Sequence, residues 1–124
     1  MHTWLYLAAF LAAALGLAHS LLGERYILIR LFRRENLPKL FGSTAFTQRT
    51  LRFVWHITTF AWWGFAALLV QLGQGTLTPS GTARVIACTF ILSGLLTLII
   101  SRGRHWAWLV LLVIGGIALA RAWA

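Results

Sequence analysis

Four apolar runs govern what this chain can fold into. From Trp4 to Leu22 there are 19 residues without a Lys, Arg, Asp or Glu. Leu51–Leu72 holds only Arg52, Thr82–Ile100 only Arg84, and Trp106–Trp123 only Arg121. Each run has the length a helix needs to cross a bilayer, about 17–25 residues. The rest of the chain points the same way. It is 124 residues long, 60% hydrophobic and 10% charged, where a soluble domain carries about 25% charged residues. A chain this short cannot bury so much apolar surface inside one core. The expected fold is an all-α integral membrane protein: a four-helix transmembrane bundle, one domain over 1–124, with spans near 4–22, 51–72, 82–100 and 106–123.

The first run also has the small residues of a cleavage site at Gly16 and Ala18. No Lys or Arg precedes it, and the positive charges follow it, so a retained first helix is expected rather than a signal peptide. The connector Gly23–Thr50 carries Arg25, Arg30, Arg33, Arg34, Lys39 and Arg49. Its first part, Tyr26–Arg34, mixes large apolar residues with arginines, which suits an amphipathic, basic and partly helical connector, its helix continuing from the membrane or bending to lie along the surface. Leu37-Pro38 predicts a helix end. Gly42-Ser43-Thr44 reads as a turn, with Ser43 or Thr44 an N-cap for the second helix. The loop Gly73–Gly81 has no charge, and Pro79-Ser80 suits a helix start.

Lys and Arg placement sets the expected orientation. The connector and the turn with Arg102 and Arg104 face the cytoplasm, and both termini lie outside a bacterial-type inner (plasma) membrane. Arg84 and Arg121 run against this bias. Trp4 and Trp123 then fall at the outer interface and Trp55, Trp106 and Trp108 at the inner one. Trp62 and Trp63 fall mid-run and require a packing role. The net charge of +9 would suggest nucleic acid in a soluble protein. With the charges set between apolar runs, anionic lipid headgroups at the connector are the expected partner and nucleic acid is not. The single cysteine, Cys88, excludes an internal disulfide and a thiolate cluster.

This topology gathers polar residues at one level. His19 lies three residues from the inner end of the first run, about 4.5 Å along the axis, and His56 five residues into the second, about 7.5 Å. His105 is at the mouth of the fourth run, with Glu24 and Arg52 at the edge. Ala8, Ala12, Gly16, Ser20 and Glu24 form a small-residue stripe on the first helix, with His19 beside it. Arg49, Arg52, His56, Thr59 and Trp63 form a polar seam on the second, expected to face protein. On the third helix Thr89, Ser93, Gly94 and Thr97 make a packing face, as Gly115-Gly116 does on the fourth.

Several chemistries fit these residues. His19, His56, His105 and Glu24 could ligate a transition metal such as zinc, copper or iron. His19 and His56 could be axial ligands of haem b. Arg30, Arg49 and Arg52 could bind an anionic small ligand, with a histidine as proton carrier. The bland alternative is a structural polar network tying the helices together. There is no phosphate-binding loop, serine elbow or acidic pair for soluble-type catalysis, so an enzyme is not favoured. In length and helix number the chain is similar to the small multidrug-resistance exporters. A proton-coupled exporter of that kind requires a carboxylate in mid-span on the first helix, and here Glu24 is at the edge. The leading expectation is a binding protein with its ligand held at the cytoplasmic-side His/Glu/Arg cluster. The alternative is a non-catalytic membrane subunit that forms a homo-oligomer or supports a partner membrane protein.

Overall fold

A computed structural model describes residues 2–124. The first helix, α1, runs over Thr3–Leu31. It is α-helical to Gly23, makes a π-turn over Glu24–Leu28 and closes with Ile29–Leu31. Then come α2 (Ala45–Gln74), α3 (Pro79–Ser101) and α4 (Ala107–Trp123). Among the described residues there is no strand, only a single bridge between Leu40 and Ser43. The first three helices are long and apolar enough to cross a membrane, and the fourth is a shorter apolar helix.

Two boundaries differ from those expected. α1 continues nine residues past Leu22, and α2 begins six residues before Leu51. The π-turn accounts for the first. Gly23 and Leu28, five residues apart, are both buried, whereas Ile27 is exposed. The wider turn therefore rotates the buried face by one residue and keeps Leu28 on the packed side. Helix formation ends at Leu31, well before Pro38, so the non-helical connector is only 32–44. The start of α2 is braced by Thr47, whose hydroxyl donates to the Pro38 carbonyl at 2.8 Å. Ser43 accepts from the Ala45 N–H at 3.3 Å, while Thr44 precedes the helix and bonds Gln48. α3 starts as expected at Pro79, and Thr78 caps it by accepting from the Gly81 N–H at 3.0 Å. Gly75, at φ +67°, closes α2 in the left-handed conformation that glycine adopts freely.

The helices pack in sequence order: α1 on α2, α2 on α3, α3 on α4. Among the described residues the first and fourth make no contact, so the row does not close on itself. The accessible surface is 8168 Å², against about 6,700 Å² for a compact soluble monomer of this mass. The core is inverted relative to a soluble protein. Trp4, Phe10, Phe65, Ile99 and Ile117 are exposed, while Gly16, Gly23, Ala66, Ala87, Ser93, Gly94, Thr97 and Gly115 are buried. Small residues inside and large apolar residues outside are what close helix packing in lipid selects. The expected α3 face is there: Ser93, Gly94 and Thr97 are buried, and their hydroxyls bond carbonyls four residues back at 2.7 and 2.8 Å. Gly94 lies against Leu112 of α4, and Gly115 against Ile91 and the Ala87 carbonyl of α3. Gly116, by contrast, faces open space.

A methyl group at Gly23 would fall inside the Trp55 indole, whereas one at Gly116 would meet nothing. Gly23→Ala should therefore destabilise the protein by about 1–3 kcal/mol, and Gly116→Ala should be neutral or stabilising by up to about 1 kcal/mol. Reversible unfolding in mixed detergent micelles measures both.

Candidate functional site

α1 and α2 are joined by a ladder of side-chain contacts to backbone carbonyls. The Trp63 indole N–H donates to the Ala13 carbonyl at 3.1 Å, the Thr59 hydroxyl to the Gly16 carbonyl at 3.1 Å, and the Trp55 indole N–H to the His19 carbonyl at 2.9 Å. Acceptors recur every three residues on α1 and donors every four on α2, as antiparallel helices require. Gly16 and Gly23 leave room for Trp63 and Trp55. The expected seam on α2 does face α1, and it explains Trp63. Trp62 meets His19 edge to face, with ring centroids 5.0 Å apart.

Beyond this ladder lies the charged end. Glu24 is the hub. Its carboxylate accepts from the Arg52 Nε at 2.9 and 3.2 Å and from a terminal Arg52 nitrogen at 2.6 Å. Oε2 also lies 2.9 Å from His56 Nε2. A carboxylate can only accept from an imidazole, so Nε2 carries the proton. His56 Nδ1 lies 2.9 Å from the Ser20 hydroxyl, which is 2.6 Å from the Thr59 hydroxyl. This row is satisfied in two proton arrangements. With neutral His56, Ser20 donates to Nδ1. With protonated His56, Nδ1–H donates to Ser20, Ser20 to Thr59, and Thr59 to the Gly16 carbonyl.

The pair also lies deeper in the helices than the sequence suggests. Glu24 is seven residues from the end of α1, and Arg52 seven from the start of α2, about 10 Å along each axis. The Arg52 guanidinium rests 4.9 Å from the centre of the Phe32 ring. Leu28 and Phe53, each 2% exposed, fill the interior at this end.

The structure gathers some of the expected site residues and separates others. Glu24, Arg52 and His56 converge. His19 is one helical turn away and faces α2, but its Nε2–H donates to the Trp55 carbonyl at 3.1 Å and its ring stacks flat on Trp55 at 4.5 Å. His105 stands apart. It stacks on Phe46 and meets Phe53 edge to face, and its Nδ1 accepts from the Ala107 N–H at 3.2 Å. The expected ligand set His19, His56, His105 and Glu24 is thus not brought together: among the described residues, no three His, Cys, Asp or Glu side chains are grouped as a metal requires. The haem expectation meets the same obstacle, since both His56 nitrogens and His19 Nε2 are already engaged. Arg30 lies over the Tyr26 ring, 5.7 Å from its centre, and neither Arg30 nor Arg49 joins the Glu24 ion pair. Ser20 and Trp55 were missed as members of the network. Ser20 lay in view within the small-residue stripe, and Trp55 was assigned to the membrane interface.

Comparison with family models, with curated proteins and with solved structures returns no match.

Glu24→Ala leaves two donors facing each other, and Arg52→Ala leaves the carboxylate to His56 alone. Each should destabilise, and the double variant should lose less than the sum. The expected coupling is about 1 kcal/mol, because side chains 35% and 29% exposed are partly screened by solvent. A double-mutant cycle in detergent unfolding gives this value.

Proposed function

We propose that this chain is a non-catalytic integral membrane protein that assembles laterally with a second copy of itself through α4. All four helices span the bilayer. The fourth is 17 residues long, about 26 Å, and the exposed Trp106 and Trp123 flank it as interfacial anchors. The connector and the Arg102–Arg104 turn lie on the cytoplasmic face of a bacterial-type inner membrane, the connector against anionic headgroups, with both termini outside.

One observation carries the assembly reading. α4 touches only α3, and its outward side presents Gly116, with nothing near it, and exposed Ala120 one turn on. Two small residues four apart on an unpaired face allow close approach of another helix. The alternative of a ligand held at Glu24, Arg52 and His56 is less well supported. An incoming metal, haem or anion would have to displace contacts that these side chains already make with one another.

Gly116→Ile puts a bulky group on the open face without disturbing the fold. Native mass spectrometry from mild detergent should show a dimer for the wild type and a monomer for the variant. A wild-type monomer, or a dimer indifferent to Gly116→Ile, would overturn the assembly reading. Orientation has its own test. In a Cys88→Ser background, Ser43→Cys should react with an impermeant maleimide only from the cytoplasmic side, and Gln74→Cys only from outside.

A further inference from the structure

At the end of the molecule opposite Glu24, two arginines share a cleft of about 490 Å³. Arg84 enters it from the start of α3 and Arg121 from the end of α4, and Thr78, Ser80, Trp123 and Ala124 are among the other residues of the wall. Neither arginine forms an ion pair among the described residues. The chain has two acidic residues. Glu24 is held by Arg52 and His56, and Glu35 lies in the connector. The Arg84 guanidinium rests over the Trp123 ring, 5.3 Å from its centre, which holds it near the cleft.

Arg84 also borders a second groove, about 400 Å³, between α2 and α3. Its floor is apolar, with Phe60, Trp63, Ala67 and Leu92, and it opens to the outside beside the exposed Cys88. Near its arginine end lies Gln71. The Gln71 Oε1 is buried and has no hydrogen-bond partner. It sits against the first turn of α3, 3.3 Å from where a Cβ on Gly81 would be. A buried acceptor of this kind calls for a donor.

We propose that the two spaces together are a binding site for one anionic glycerophospholipid. Its phosphate lies between Arg84 and Arg121. A headgroup hydroxyl donates to Gln71 Oε1. One acyl chain runs down the groove over Phe60, Trp63 and Leu92. Two cations that no carboxylate pairs among the described residues favour an anion. An apolar channel leading away from them requires an alkyl chain, and the orphan amide oxygen requires a hydroxyl. A phosphatidylglycerol-type lipid supplies all three, whereas a choline headgroup has no hydroxyl to give and carries a cation into the arginine pair. The same chemistry accounts for Arg84 and Arg121 at the end of the molecule where the charge bias expects few cations. This site stands on the apolar character of the helices and not on assembly through α4.

The test is native mass spectrometry of the protein released from vesicles of equal parts phosphatidylglycerol and phosphatidylcholine. The wild type should retain one phosphatidylglycerol in preference to phosphatidylcholine by roughly thirtyfold, the scale of two basic residues at a lipid surface. Arg84→Gln/Arg121→Gln should bring the ratio near one, and the connector variant Arg33→Gln/Arg34→Gln should leave it unchanged. Cys88→Trp fills the groove with both arginines in place and should also lose the lipid. Equal retention of the two lipids by the wild type would overturn the proposal, as would a double arginine variant that binds as the wild type does. Displacement of the lipid by glycerol 3-phosphate alone would show a site for free phosphate and overturn the acyl-chain assignment. Unfolding midpoints of the variants, measured alongside, separate loss of the site from loss of the fold. Lipid preference that persists in Gly116→Ile would separate this site from the assembly face.

Discussion

α1 and α2 approach closely because two glycines make space for two indoles, and the rest of the structure depends on that approach. In hydrocarbon, apolar side chains gain nothing by leaving lipid for one another, so helix pairing relies on close packing and on polar bonds. Gly16 and Gly23 let Trp63 and Trp55 reach the backbone of α1, where their N–H groups bond to carbonyls already used within the helix. The spacing this sets between the two axes is what brings Glu24 onto Arg52 and His56. The π-turn that begins at Glu24 then keeps Leu28 buried beneath the pair.

Polar chemistry is segregated by end. One end holds a carboxylate with its two basic partners, a hydroxyl row behind it and a basic connector beyond. The other holds two arginines that form no ion pair among the described residues, beside an apolar groove. Between these ends the contacts come from small residues and from hydroxyls that bond within their own helix. At the first end the Glu24 carboxylate is neutralised inside the protein by Arg52. The two arginines at the second are left for something outside it. A chain with so few acids can arrange its cations in no other way, since one acid is spent on the α1–α2 pair and the other lies in the connector.

The open order of the helices gives the molecule its character. Each helix contacts only its neighbours in sequence, so α1 and α4 each leave most of their circumference to lipid or to another protein. The turn carrying His105 nevertheless folds back onto Phe46 and Phe53 at the start of α2. That contact braces the row at the connector end, while at the other end the Ser80 hydroxyl ties α3 to the Ala122 carbonyl at 2.7 Å.

Periodicity and charge placement alone were enough for the helices, the α3 packing face, Gly115 on α4 and the seam Arg52, His56, Thr59 and Trp63. These are properties of one helix at a time: run length, which face is small, which face is polar. Pairing across helices was legible only in part. Glu24, Arg52 and His56 were named together because they share a level, but depth says nothing of rotation about the axis. For that reason His105 was grouped with side chains it never meets, and Ser20 and Trp55 were passed over. The π-turn leaves no periodic signature, so the expected α1 stops too soon and sets Glu24 too near the edge. The sequence by itself determined the solvent, the helices and the faces they must hide. Only the tertiary structure decided that His56 bonds to Glu24 and Ser20 while His19 turns to Trp55, because a few degrees of helix rotation choose between partners of the same chemical type.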